Sequence, residues 1–326
     1  MNCIPRLYKI EKGLHVHELV KALDNAKHIL IIAHVNPDAD SMGSALAMYT
    51  HVLRLHKKVT LFCKTEKMNP ALAFLPFFDK VKSTLPKDCD LAMSFDCGAA
   101  KRLGIEVDAP LVNVDHHVSN EKYGAINILD TTAISTTQVL YDFFKANDIK
   151  INAKMATALY AGLADDSQNF TTDKTDARAF LMAADLVQCG ADNALCTQML
   201  FRERSLASIR MKAKMLSSAQ LHCSGKVVST KVEKSFFEET GAYEVDCEEA
   251  LHESLDLVNV EVALMLRHTK DGRIKGSLRS KKGMDMNALA SHFGGGGHVH
   301  SAGFVLDAKS LEEIENKIIT ILKEKI

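Results

Sequence analysis

No Cys-x-x-Cys pair occurs in the 326 residues, although eight cysteines are present, at 3, 63, 89, 97, 189, 196, 223 and 247. Their scatter argues against a disulfide framework and against a structural zinc site, and points to a reducing cytoplasm. Positions 1–8 lack the apolar core of a signal peptide, and no unbroken apolar run reaches the roughly 18 residues that span a bilayer. A cytoplasmic protein without membrane association is therefore expected. Surplus charge is missing too, with 40 Lys and Arg against 41 Asp and Glu and a net charge of −1. That balance exerts no long-range pull on duplex nucleic acid, so a polyanionic partner would have to be small and held locally. Repeats and low-complexity segments are absent. What remains is 47% hydrophobic and 25% charged, an ordinary globular composition long enough for two domains with separate cores.

Up to about residue 200, short apolar runs alternate with helical stretches, which implies βαβ units around a parallel sheet. Strands are expected at 28–33, 59–63, 91–95, 111–114 and 125–129, and helices at 44–55, 135–146 and 153–163. Residues 175–220 read as helical. A second pattern follows, with strands at 227–232, 260–267, 274–279 and 302–306, a short helix at 286–293 and a final helix at 310–324. In that last helix Leu311, Ile314, Ile318, Ile319 and Leu322 share one face, as core residues would. The chain thus reads as α/β, with a parallel-sheet domain at 1–205, a helical linker at 206–222 and a smaller α/β domain at 223–326.

The chemistry gathers where strands end. Ile29-Leu30-Ile31-Ile32-Ala33 runs directly into His34-Val35-Asn36-Pro37-Asp38-Ala39-Asp40-Ser41. One imidazole and two carboxylates at the carboxyl edge of a parallel sheet suit a divalent cation such as Mn²⁺ or Mg²⁺. Capping of the next helix accounts for one aspartate, or for Ser41, but not for the whole cluster. Asp96 follows the 91–95 strand, with Arg102 six positions on as a phosphate anchor or a surface ion pair. Asp115-His116-His117 follows the 111–114 strand. Adjacent histidines point to different sides, so one can bind metal while the other faces substrate and Asp115 orients an imidazole. Asp165 and Asp166 close a helix whose C-terminal dipole disfavours them, which a cation would offset. Finally, Gly294-Gly295-Gly296-Gly297-His298, preceded by Arg279, offers unobstructed backbone N–H groups to an anion.

In this order the motifs resemble the DHH phosphoesterase superfamily along the whole chain: His-x-x-Pro-Asp-x-Asp, a strand-end Asp, Asp-His-His, and a further Asp. Gly294–Gly297 with His298, Ala302 and Gly303 resembles the DHH-associated C-terminal domain, and the chain is most similar to the nanoRNase/pAp phosphatase branch. The resemblance implies two Mn²⁺ ions, with Mg²⁺ as a substitute. His34, Asp38 and Asp96 would hold one; Asp40, Asp96, His116 and Asp166 would hold the other. Asp96, Asp115 and His117 are the implied catalytic residues, with His117 facing the scissile phosphate. Arg102, Arg279, Gly295, Gly296, Gly297 and His298 are the implied substrate contacts, in a cleft between the domains. Two segments depart from the family pattern. Asp165-Asp166-Ser167-Gln168-Asn169-Phe170 stands where relatives carry Thr-Asp-Thr-Gly-x-Phe, and Ala99 replaces a frequent acid.

The resemblance further implies hydroxide attack on short single-stranded oligonucleotides, on the phosphomonoester of 3′-phosphoadenosine 5′-phosphate (pAp), or on both. Long duplexes are excluded as substrates, and a homodimer is compatible with the reading. The alternative is a cyclic di-AMP phosphodiesterase, which would share the metal centre and differ in its base pocket. Pyrophosphatase relatives use a different C-terminal domain, and a nucleotide-sensing module would be expected to lack some of the metal ligands.

Overall fold

A computed structural model describes residues 14–326 except 270, 282 and 309. Cys3 and the reading of positions 1–8 lie outside those residues. The chain divides into two compact units, Met1–Glu203 and Arg204–Ile326. Among the described residues no helix is long and apolar enough to cross a membrane, and Cys63, Cys89, Cys97, Cys189, Cys196, Cys223 and Cys247 are all free thiols.

The first unit contains α1 (Leu14–Asn25), β1 (His28–Ala33), α2 (Ala39–Arg54), β2 (Lys58–Cys63), β3 (Leu91–Phe95), β4 (Leu111–Asp115), β5 (Ile126–Leu129), α3 (Thr136–Ala146), α4 (Ala153–Asp166), α5 (Ala177–Gln188) and α6 (Asn193–Thr197). Its five strands are all parallel, in the order β2-β1-β3-β4-β5. Buried strands of this kind need apolar residues on both faces, and β1 supplies them. Ile29, Ile31 and Ala33 join the large core with Leu46, Leu140 and Leu159 from the helices. Leu30 and Ile32 pack on the other face with Phe62, Ala92 and Leu103.

Register then places the chemistry. Ala33 pairs with Phe95 and Phe95 with Val114, so His34, Asp96 and Asp115 leave the sheet at one level. The sheet order reverses between β1 and β3, the position where open α/β sheets bind ligands.

One expectation needs correction. Helix α2 begins at Ala39, a turn before the expected 44–55 segment, and its cap is Asp38, not Ser41. The Asp38 side chain accepts a hydrogen bond from Ser41 N at 2.9 Å, so Asp40 falls inside the first helical turn. That turn is pressed against its neighbours. A Cβ on Gly162 of α4 would stand 2.7 Å from Asp40 Oδ1 and 2.5 Å from Thr137 Cγ2. Only glycine permits this approach.

The second unit begins with α7 (Leu206–Ser217), whose Met211 and Met215 pack with Val228 and Met265. Then come β6 (Gln220–His222), β7 (Val227–Val232), α8 (Lys234–Thr240), α9 (Cys247–Leu255), β8 (Val262–His268), β9 (Ile274–Ser280), α10 (Met286–Ser291), β10 (Gly296–His298), β11 (Ser301–Leu306) and α11 (Leu311–Lys323). The mixed sheet runs β10-β11-β9-β8-β7-β6, with only β7 and β8 parallel. The expected face of α11 is buried against it.

Candidate metal centre

Asp96 sits at the middle of the centre. It is buried and its φ of +55° is left-handed, a conformation that Asp tolerates better than most residues. That turn ends β3 and leaves the two carboxylate oxygens facing different partners. Oδ2 lies 3.5 Å from His34 Nε2, and Oδ1 lies 3.6 Å from His116 Nε2 and 3.5 Å from His117 Nδ1. Thr136, at the start of α3, donates its hydroxyl to Oδ1 at 3.1 Å.

On the first side, His34 donates from Nδ1 to its neighbour's carbonyl, Val35 O, at 2.9 Å. In the neutral ring that a cation would bind, this makes Nε2 the unprotonated atom; it lies 3.8 Å from Asp38 Oδ2. Asp38 therefore serves both readings of its sequence position, one oxygen capping α2 and the other facing His34. Burial alone would lower the His34 pKa, but the Asp38 and Asp96 carboxylates overcome it and raise it to about 9. Arg102 Nη2 lies 3.1 Å from His34 Nε2, so it borders this side of the centre.

On the other side, His116 donates from Nδ1 to Ala133 O at 3.2 Å and turns Nε2 to within 3.2 Å of Asp166 Oδ2. Asp40 is fully buried, and its two oxygens accept from the backbone N–H groups of Thr136 and Thr137 at 2.7 and 2.9 Å. Ligand atoms of Asp40, His116 and Asp166 converge within 4.8 Å of one another, as do those of His34, Asp38 and Asp96. A third convergence joins Asp96, Asp115, His116 and His117.

Asp165 does something different. Its Oδ2 accepts from Ala39 N at 2.9 Å, capping the start of α2 from the end of α4. Asp166, the next residue, is the one that meets His116. The departures after it have a backbone meaning. Gln168, Asn169 and Phe170 are all left-handed, with φ of +47°, +56° and +67°. Glycine in relatives would suit the first of these positions because it adopts that conformation without a steric penalty.

The electrostatics are unusual for a folded protein. Burial, reinforced by Asp40, pushes the Asp96 carboxyl up to about 7. Burial and the other acids raise Asp166 well above the usual range and Asp165 to about 6. So many buried acids facing two imidazole Nε2 atoms are compensated when cations enter, and the oxygen–nitrogen donor set suits borderline and hard divalent ions. The residues fit a metal centre.

Asp115 and His117 are arranged for another task. Asp115 Oδ1 accepts from His116 N at 2.8 Å, from His117 N at 3.2 Å and from His117 Nδ1 at 2.7 Å. The His117 ring is thereby held with Nε2 outermost and its side chain 35% exposed. Hydrogen bonding to Asp115 raises the His117 pKa, while burial opposes the rise.

In the second unit Arg279 is already occupied. It pairs with Glu248 at 2.8 Å and donates to Leu278 O at 3.0 Å. His298 is exposed on β10. A Cβ on Gly295 would collide with Gly303 O and Phe304, and one on Gly297 would lie 2.5 Å from Ser301 O. Packing therefore requires two of these glycines, while Gly296 has no contact closer than 3.5 Å. Thr136, Thr137 and Ala133, which orient Asp96, Asp40 and His116, were not singled out by sequence reasoning. A Ser135 cap before Thr-Thr was the available signal, and it announces a helix rather than a site.

Residues 28–163 match the DHH family, N-terminal domain, and residues 225–324 match the DHHA1 domain. The chain is 28% identical to the bifunctional oligoribonuclease and PAP phosphatase NrnA of Thermus thermophilus, over 97% of this chain and 95% of that one. It is 25% identical to the protein of the same name from Bacillus subtilis, over 88% of this chain and 91% of that one. The crystal structure of an exopolyphosphatase-related protein from Bacteroides fragilis shares the fold, with a TM-score of 0.87 and 21% identity over 95% of this chain and 96% of that one. The parallel-sheet unit with acids and histidines along its carboxyl edge is thus that of the DHH family, to which this chain belongs, with a DHHA1 domain in its second unit.

Proposed function

We propose that this chain is a metal-dependent phosphoesterase that hydrolyses short oligoribonucleotides and the phosphomonoester of pAp, using two Mn²⁺ ions in the cytoplasm. The observation that carries the reading is the division of Asp96, one oxygen toward His34 and the other toward His116. His34, Asp38 and Asp96 would hold one ion; Asp40, Asp96, His116 and Asp166 would hold the other. The chemistry that two divalent ions would supply there is activation of a water and stabilisation of the entering and leaving oxygens of an in-line displacement.

The protein's own groups do the rest. Backbone N–H groups at the start of α3 fix Asp40, and Thr136 fixes Asp96, so the ligands need little rearrangement. His117, held through Nδ1, presents Nε2 to a phosphoryl oxygen whose charge grows in the transition state. Arg102 borders the same centre and offers a guanidinium to a neighbouring phosphate. In the second unit, Arg279, His298 and the backbone of Gly295, Gly296 and Gly297 are proposed anion contacts. The names of the relatives from Thermus thermophilus and Bacillus subtilis support the substrate class.

The test offers Mn²⁺-loaded protein pAp, di- to pentanucleotides, cyclic di-AMP, pyrophosphate and a long single strand side by side. Initial rates should favour pAp and the short oligonucleotides. Faster turnover of cyclic di-AMP would establish the alternative phosphodiesterase, and digestion of the long strand without length preference would sink the size limit.

A further inference from the structure

Asn120 lies outside the ligand set, yet it closes a partly buried network beneath the Asp115-His116-His117 turn. Asn120 N donates to His117 O at 3.2 Å, folding the chain back so that the Asn120 side chain meets Asp115. Its Nδ2 donates to Asp115 Oδ2 at 2.5 Å and to Asn113 Oδ1 at 2.7 Å, using both amide hydrogens. Its Oδ1 accepts from Lys122 N at 2.7 Å.

These bonds permit only one orientation of the amide. Reversing Asn120 would set its NH₂ against the Lys122 N–H and its oxygen against a carboxylate. The partner, Asn113, is fixed in turn. It is fully buried, and its Nδ2 donates to Tyr123 OH at 2.9 Å and Ser94 Oγ at 3.1 Å. Tyr123 passes its own hydrogen to Cys97 O at 2.9 Å. A chain of donors with every member satisfied resists rotation, because turning the buried Asn113 or Asp115 leaves an unpaired polar group in a low dielectric.

We propose that Asn120 is a positioning residue for phosphoester hydrolysis: its amide pins Oδ2 of Asp115, so that Oδ1 holds the His117 ring with Nε2 presented to substrate. This rests on the phosphoesterase reading above. Without the Asn120 amide, Asp115 Oδ2 has no other side-chain donor among the described residues. The carboxylate is then held through Oδ1 alone, and the direction of its bond to His117 Nδ1 is less tightly fixed.

Three variants test this in the full chain with Mn²⁺ at pH 8. Asn120→Ala should lower kcat about 10- to 100-fold, the usual cost of removing a group that orients a catalytic histidine. KM and the Mn²⁺ dissociation constant should stay within about threefold. Asn120→Asp keeps the shape and the acceptor for Lys122 N, but sets a carboxylate against Asp115. It should therefore be worse than alanine. A residue that merely shaped the turn would show the opposite ranking, so aspartate outperforming alanine, or either variant retaining full kcat, overturns the proposal. If Asn120→Asp does not fold, Asn120→Ser, which keeps a short donor, should retain more kcat than alanine, and equal rates overturn the proposal. Should the wild-type protein hydrolyse no phosphoester, the functional reading fails on its own. The imidazole nitrogen signals of His117 then decide. A shift away from the Nδ1-protonated tautomer in the variants supports the role of Asn120, and an unchanged ring overturns it.

Discussion

Asp165 and Asp166 are neighbours of one chemical type, and the structure assigns them opposite consequences. Asp166 Oδ2 lies 3.2 Å from His116 Nε2. Replacing Asp166 by alanine removes a carboxylate from the Asp40, His116 and Asp166 group and should loosen one cation. A metal ion contributes several kcal/mol to charge stabilisation in such reactions, and about 4 kcal/mol corresponds to about 10³ in kcat/KM. Asp165 instead accepts from Ala39 N at 2.9 Å. Its loss leaves an N-terminal N–H of α2 unpaired, at about 1 kcal/mol. Against that stands a gain, because burial and Asp38 raise the Asp165 carboxyl to about 6. In the metal-free protein its charge at neutral pH costs an amount of the same order, reduced by its partial exposure. Asp165→Ala should therefore leave the melting temperature nearly unchanged without metal, and lower activity less than tenfold. Asp165→Asn, which keeps an acceptor for Ala39 N and removes the charge, should match wild type in activity and melt higher in chelator. The assay is kcat/KM on pAp at saturating Mn²⁺, with Mn²⁺ affinity by calorimetry and thermal melts in chelator. Equal losses in the two alanine variants after metal saturation, or the greater loss in Asp165→Ala, would refute the assignment.

His51 is buried, and burial together with Arg54 depresses its pKa to about 4. The unfolded chain takes up the proton first, near pH 6.5, so this contribution is complete above that value and is lost as pH falls toward 4. Unfolding in urea should show about 2 kcal/mol lost from this source between about pH 7.5 and about pH 5, and His51→Asn should flatten the slope; an unchanged slope would count against the buried neutral ring. Gln168 is exposed at a φ of +47°, so Gln168→Gly should raise Tm by about 2 °C through relief of roughly 0.5–1 kcal/mol of strain, and a lower Tm would contradict that. Mn²⁺ at a hundred times its Kd should add about 2.7 kcal/mol of stability, reversed by chelator, and much of this should vanish in Asp96→Asn; a melt indifferent to Mn²⁺ and Mg²⁺ would remove the case for the centre. Glu248→Gln removes the charge that pairs with Arg279 in a partly buried ion pair and should lower KM for pAp about two- to fivefold, whereas an unchanged or higher KM would argue against Arg279 as an anion contact.

Strand ends were legible in the sequence because a buried parallel strand must be apolar on both faces, and the polar residue that breaks the run marks the sheet edge. His34, Asp96 and Asp115 each follow such a run, and pairing of Ala33 with Phe95 and of Phe95 with Val114 brings them level. The start of α2 was less legible. Asp38 and Ser41 are both good caps, and only the fold of the loop after β1 decides between them, through the Asp38 bond to Ser41 N. Least legible was the support around the ligands. Thr136 and Thr137 hold Asp40 through backbone N–H groups that any residue but proline would carry, and Asn120 acts through a turn whose geometry no periodicity announces. Gly162 shows the intermediate case. As a helical glycine it costs about 1 kcal/mol against alanine, a cost that a sequence reader can notice without seeing its cause. The structure supplies the cause in Asp40 Oδ1, 2.7 Å from where a Cβ would stand. The site is therefore read from its side chains in the sequence, but its rigidity depends on backbone donors and close approaches that appear only once the helices are packed.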